Sequence, residues 1–145
     1  MSEGQSATSL SGKRVVLCED EAVEVMHLRY ALRQAGLFVV GSAHTGEKAV
    51  QVVLHTRPEL VLMDIKMPVM DGLDAAEQIL SEYPVCMVIL TAYDDKEYRA
   101  RAKAIGVSSY LVKPIQAAAL LRQLEEAFAL YNATHEQTRP PHSPD

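Results

Sequence analysis

Five short apolar runs, each followed by a segment with helical spacing, constrain this chain more than anything else in it. The runs are RVVLC (14–18), Leu37 to Gly41, Leu60 to Met63, the VCMVIL stretch ending at Thr91, and VSSYLV ending at Val112. After the first, Val25, Leu28, Leu32 and Ala35 recur at helical spacing, and Gly36 falls where a helix C-cap glycine belongs. Further helices are expected at 45–55, 73–82, 94–105 and 115–131, with Gly106 closing the fourth. Strands that alternate with helices predict an α/β fold, a doubly wound five-stranded parallel sheet with helices on both faces. Near-continuous apolar strands fit a sheet covered on both sides.

Four of those runs end on a chemically active residue. Glu19, Asp20 and Glu21 follow the first run, Asp64 the third, Thr91 ends the fourth, and Lys113 follows the fifth. In an open parallel sheet of order 2-1-3-4-5, ligands bind beyond the carboxyl ends of the strands, where strands 1 and 3 diverge. Carboxylates on both sides of that crevice repel one another unless a cation joins them, and hard oxygen donors suit Mg²⁺ or Mn²⁺. A carboxylate beside such an ion can attack a phosphoryl group, with an ammonium and a hydroxyl balancing charge on its oxygens. Asp64 is the expected nucleophile, with Thr91 and Lys113 as helpers. Taken singly, Asp20 and Glu21 read as helix N-terminal carboxylates and Tyr110 as a packed strand aromatic. The joint occurrence of the acids after the first run, Asp64, Thr91 and Lys113 at four strand ends favours the chemical reading.

The 145 residues, 48% of them hydrophobic, allow one good core. Fourteen basic against nineteen acidic residues give a net charge of −5, and no cluster of Lys and Arg marks a groove for direct nucleic-acid binding. Cys18 and Cys86 sit inside apolar runs without metal-ligand spacing, so buried free thiols are expected. A polar N-terminal segment and the lack of a spanning apolar stretch predict no membrane association and a cytoplasmic location. The expected division is a flexible tail over 1–12, one domain over 13–131, and a disordered tail over 132–145.

The motifs DIKMPVMDG, LTAY and YLVKP, in this order, resemble a bacterial response-regulator receiver domain, CheY-like in its fold. The resemblance covers about Arg14 to Tyr131. It implies that Asp64 accepts phosphate from a histidine kinase or phosphotransfer protein, and that Asp20, with Glu19 and Asp64, ligates Mg²⁺. The main-chain carbonyl of Lys66 completes the implied metal ligands. Thr91 becomes the switch hydroxyl, Tyr110 the aromatic that repacks, and Lys113 the partner of the acidic cluster or phosphate. The resemblance also implies a cis bond before Pro114, and a downstream partner or homodimer surface on the fourth helix, fifth strand and fifth helix.

Within receivers, these motifs look closest to the AmiR/NasT-type antiterminator subgroup, whose C-terminal RNA-binding ANTAR region is expected to be missing here. A haloacid-dehalogenase-type phosphatase also uses an Asp nucleophile, but requires a second Asp two residues on, where this chain has Lys66. The expectation is therefore a switch rather than an enzyme. Lys66 and Tyr93 occupy receiver positions that influence phosphate lifetime, and their bulk predicts slow self-dephosphorylation.

Overall fold

The computed structural model describes residues 8–138. In chain order the elements are β1 (Arg14–Cys18), α1 (Ala22–Gln34), β2 (Phe38–Ala43), α2 (Gly46–Thr56), β3 (Leu60–Met63), α3 (Gly72–Glu82), β4 (Cys86–Thr91), α4 (Lys96–Ile105), β5 (Ser109–Val112) and α5 (Ala117–Thr138). All strand pairs are parallel, and the sheet order is β2-β1-β3-β4-β5.

Strand alternation divides the core into two layers. Val16, Cys18, Val61, Met63, Met87 and Ile89 face one way, against Val53 of α2, Ile79 of α3 and Ala102 of α4. Val15, Leu17, Leu60, Leu62, Val88 and Leu90 face the other way, against Leu28 and Leu32 of α1 and Leu120 and Leu124 of α5. Each such fully buried aliphatic side chain contributes about 1.5–3 kcal/mol of transfer free energy. Both cysteines are free and buried, and burial pushes their thiols up to about 12 at Cys18 and about 11 at Cys86. They are packing residues with little thiolate character.

Helix boundaries follow local chemistry. Thr45, Asp71 and Asp95 cap α2, α3 and α4 by accepting from the amides of Lys48, Asp74 and Glu97. Gly36 and Gly106 take the left-handed conformation just past α1 and α4, as expected from the sequence.

Both ends depart from expectation. Leu10 is fully buried among Val15, Leu32 and Leu124, and the Gly12 amide donates to Gly36, so residues 8–12 pack as part of the domain. An isolated leucine in a polar stretch carries no periodicity that would announce this. At the other end α5 continues through residues 132–138, where a tail was expected. That stretch contains neither Gly nor Pro, and His135 stacks on Tyr131 with ring centroids 3.8 Å apart. Residues 1–7 and 139–145, to which the flexible and disordered tails were assigned, lie outside the described residues. Among the described residues no helix is long and apolar enough to cross a membrane.

Candidate functional site

The sheet continues briefly past its strands at the carboxyl edge, and this positions the chemical residues. The Glu19 amide donates to Ala43, the Asp64 amide to Cys18, and the Lys113 amide to Thr91, at 2.8–2.9 Å. Backbone ladders thus fix the first residue after β1, β3 and β5 relative to one another. Thr91, the last residue of β4, has no solvent exposure.

Lys113 is the hub. Its Nζ lies 2.8 Å from Glu19 Oε1, 3.1 Å from Asp64 Oδ2 and 3.6 Å from Glu24 Oε2. Glu19 and Asp64 are only 3% and 8% exposed, so the ammonium neutralises two buried like charges. Burial pushes the Glu19 carboxyl up to about 7, against the opposing pull of Lys113 and the Glu21 amide, and the nearby Asp64 charge adds to the rise. Burial alone would depress Lys113, but its hydrogen bonds to Glu19 and Asp64 and their charges outweigh this and raise it. The second Asp64 oxygen, Oδ1, is buried without a hydrogen-bond partner. An orphaned carboxylate oxygen beside a second carboxylate is a place where a hard cation or an incoming electrophile fits.

Not every expected ligand is gathered there. Asp20 is exposed, and with Glu19 it borders a cavity of about 260 Å³ that also meets Ser42, Ala43 and His44. Lys66 is exposed too. Among the described residues no three His, Cys, Asp or Glu side chains form a ready-made cation cage. The donor set still fits a divalent ion in kind: Glu19 and Asp64 supply hard oxygens, and Asp64 Oδ1 has lone pairs uncommitted.

The loop between β3 and α3 is folded back tightly on Asp64. The Met70 amide donates to Pro68 across Val69, which has φ of 71° and forms the centre of a γ-turn. The Gly72 amide donates to Ile65, and a Cβ on Gly72 would lie 2.0 Å from the Asp64 carbonyl oxygen. Asp71 and Gly72 are therefore more than turn punctuation: the glycine allows α3 to start against the backbone of Asp64.

On the far side of the site, the Tyr110 hydroxyl donates to the Tyr93 carbonyl, and the Arg99 guanidinium covers the Tyr110 ring at 4.7 Å. The Tyr93 amide reaches Thr91 Oγ1 at 3.4 Å. Lys66 Nζ stands 5.1 Å from the Tyr93 ring centroid and 5.6 Å from that of Tyr98. The Lys66–Tyr98 hydrogen bond, with charge from both tyrosines, holds the ammonium above the ordinary lysine range. The Lys113-Pro114 bond is cis.

Sequence reasoning missed three of these participants. Glu24 lies on the first turn of α1, and its spacing from the strand end was the available signal. Tyr98 and Arg99 carry no sequence signal, because their contacts join elements far apart in the chain.

Residues 15–125 match the response regulator receiver domain family. The transcriptional regulatory protein PdtaR of Mycobacterium tuberculosis is 40% identical over 119 residues, covering 82% of this chain and 58% of the relative. This chain therefore spans little more than half the length of that relative. The chemotaxis protein CheY of Thermotoga maritima is 33% identical over 116 residues, covering 79% of this chain and 97% of the relative. The signal receiver domain of a modulated diguanylate cyclase from Desulfovibrio desulfuricans G20 superposes with a TM-score of 0.78 at 29% identity, covering 86% of this chain and 99% of that one. The five-stranded sheet of order 2-1-3-4-5 agrees with these likenesses, and the chain belongs to the response regulator receiver domain family of two-component systems.

Proposed function

We propose that this receiver is a phosphorylation-controlled switch in which Asp64 takes a phosphoryl group from a histidine kinase or phosphotransfer protein. The observation that carries the reading is the lysine-bridged pair of buried carboxylates, Glu19 and Asp64, with one Asp64 oxygen unpartnered. An Asp64 oxygen forms the new bond to phosphorus as the bond to the donor breaks, giving an acyl phosphate. Little covalent chemistry remains for the protein, whose task is alignment and compensation of charge.

Glu19, Asp20, Asp64 and the main-chain carbonyl of Lys66 are the residues that would hold Mg²⁺. That ion would supply charge compensation on the transferring phosphoryl oxygens. Lys113 offers its ammonium to one of those oxygens, and Thr91 offers its hydroxyl to another after leaving the Tyr93 amide. Tyr110 then repacks, because its hydroxyl is bonded to the loop that Thr91 anchors. The surface of α4, β5 and α5 changes with it and meets a downstream protein or a second copy. The resemblance of the motifs to AmiR/NasT-type receivers, with the likeness to a named transcriptional regulatory protein, supports an output in gene expression.

Incubation with Mg²⁺ and acetyl phosphate is expected to add one phosphoryl group that hydroxylamine removes, the behaviour of an acyl phosphate. A hydroxylamine-resistant adduct would contradict the reading. Lifetime is a second expected outcome. Lys66 packs on Tyr93, and together they are proposed to hinder approach of water to the phosphoryl group. Lys66→Ser and Tyr93→Ser should each shorten the phosphoprotein half-life several-fold, measured after removal of the donor. Unchanged decay in both would refute that role.

A further inference from the structure

Tyr98 lies on α4, outside the acidic cluster, yet the Lys66 side chain joins it to the acceptor's loop. Lys66, two residues past Asp64, extends from the β3–α3 loop to the Tyr98 ring at 5.6 Å and the Tyr93 ring at 5.1 Å. The Tyr98 backbone is fixed by the cap from Asp95 Oδ1 to its amide at 3.0 Å, and its half-buried side chain packs against the core. Tyr93 is held from three sides: its ring by Lys66, its carbonyl by the Tyr110 hydroxyl, and its amide by Thr91 Oγ1.

These contacts bear on one movement. In the switch proposed above, Thr91 turns its hydroxyl toward a phosphoryl group on Asp64, stretching an already long 3.4 Å bond from the Tyr93 amide and drawing on the 92–95 loop. The cation between two aromatic faces opposes that shift, because moving Tyr93 withdraws one face from the ammonium. We infer that Tyr98 is a positioning residue for the phosphorylation site: acting through Lys66 and Tyr93, it stabilises the unphosphorylated arrangement and lowers the affinity of the site for a phosphoryl group. The inference rests on the Asp64 reading above. By linkage, any partner that draws Tyr98 away from Lys66 also tightens the site for phosphate, which joins the α4 surface to the chemistry by a path separate from Tyr110.

Calorimetric titration of the full chain with beryllofluoride, a phosphoryl mimic, at saturating Mg²⁺ tests this. Tyr98→Leu and Lys66→Met should each bind the mimic about fivefold more tightly than the wild type, the size expected for losing an exposed cation–aromatic contact. The double variant should bind no more tightly than Lys66→Met alone, because that change already takes the ammonium from both rings. Tyr98→Phe, which keeps the ring and loses only the hydroxyl, should fall between the wild type and Tyr98→Leu, and in both Tyr98 variants Mg²⁺ affinity without the mimic should not change. Lys66 is exposed, so its substitution leaves the fold intact and keeps the test valid. Equal affinities in wild type, Tyr98→Leu and Lys66→Met, or effects that multiply in the double variant, would overturn the inference while leaving the Asp64 reading in place. A wild type that binds no beryllofluoride would remove that reading and this one with it.

Discussion

Lys113→Met is expected to slow phosphorylation of Asp64 by about 10²–10³-fold, the usual effect of removing one preorganised charge-stabilising donor. The side chain is similar in length and keeps its packing, so the loss isolates the ammonium. In the wild type that ammonium contacts both Glu19 and Asp64 and comes within 3.6 Å of Glu24. Without it, two buried carboxylates face each other unpaired. Removing one partner of a buried pair typically costs about 3–5 kcal/mol. The expected loss here is nearer the lower figure, because burial and the Asp64 charge already favour the protonated form of Glu19, and a proton taken up there relieves the repulsion. Rates from acetyl phosphate and a urea melt of the same variant measure the two effects. Lys113→Arg should recover stability better than rate, since a planar guanidinium keeps the charge but presents it in a different geometry. A Lys113→Met protein that phosphorylates at the wild-type rate would remove lysine from the mechanism.

Gly72→Ala is expected to destabilise the domain by about 3 kcal/mol and to impair phosphorylation as well, although residue 72 carries no functional group. The added Cβ would lie 2.0 Å from the Asp64 carbonyl oxygen, 2.8 Å from its carbon and 2.9 Å from the Ile65 Cα. All three obstacles are backbone, so the relief must come from shifting Asp64 or the start of α3. Gly41→Ala is the informative comparison. There the nearest atom, at 2.7 Å, is a methyl of the Val52 side chain, and the next two, at 3.8 and 3.9 Å, are also side-chain methyls, so relief needs a small shift of one side chain rather than of backbone. Denaturant midpoints for the two variants should differ clearly, with Gly72→Ala the weaker fold. Equal midpoints would show that the β3–α3 loop yields more easily than its contacts imply.

The fold was legible because two periodicities alternate without interruption. Strands such as Cys86–Thr91, buried at every position, read as continuous apolar runs, while α1 and α5 show helical spacing. The site was legible because parallel strands share a carboxyl edge, so Glu19, Asp64 and Lys113 converge from sequence separations of 94 and 49 residues. What resisted reading depends on single tertiary contacts. Leu10 enters the core from a polar stretch, and residues 132–138 stay helical without apolar spacing. Asp20 matches the motif, yet its side chain stands in solvent while Glu19 lies buried against Lys113. Adjacent residues after a strand point to opposite faces, and the sequence does not say which acid turns inward. The Lys66 contact with Tyr98 is cross-element packing of the same kind.

The most direct test of the central claim is intact mass after incubation with Mg²⁺ and acetyl phosphate, for the wild type beside Asp64→Asn. Asparagine keeps the shape of the side chain and removes the nucleophilic carboxylate. The account predicts one added phosphoryl group on the wild type and none on the variant. Equal phosphorylation of both proteins, or no mass gain by the wild type, would contradict it.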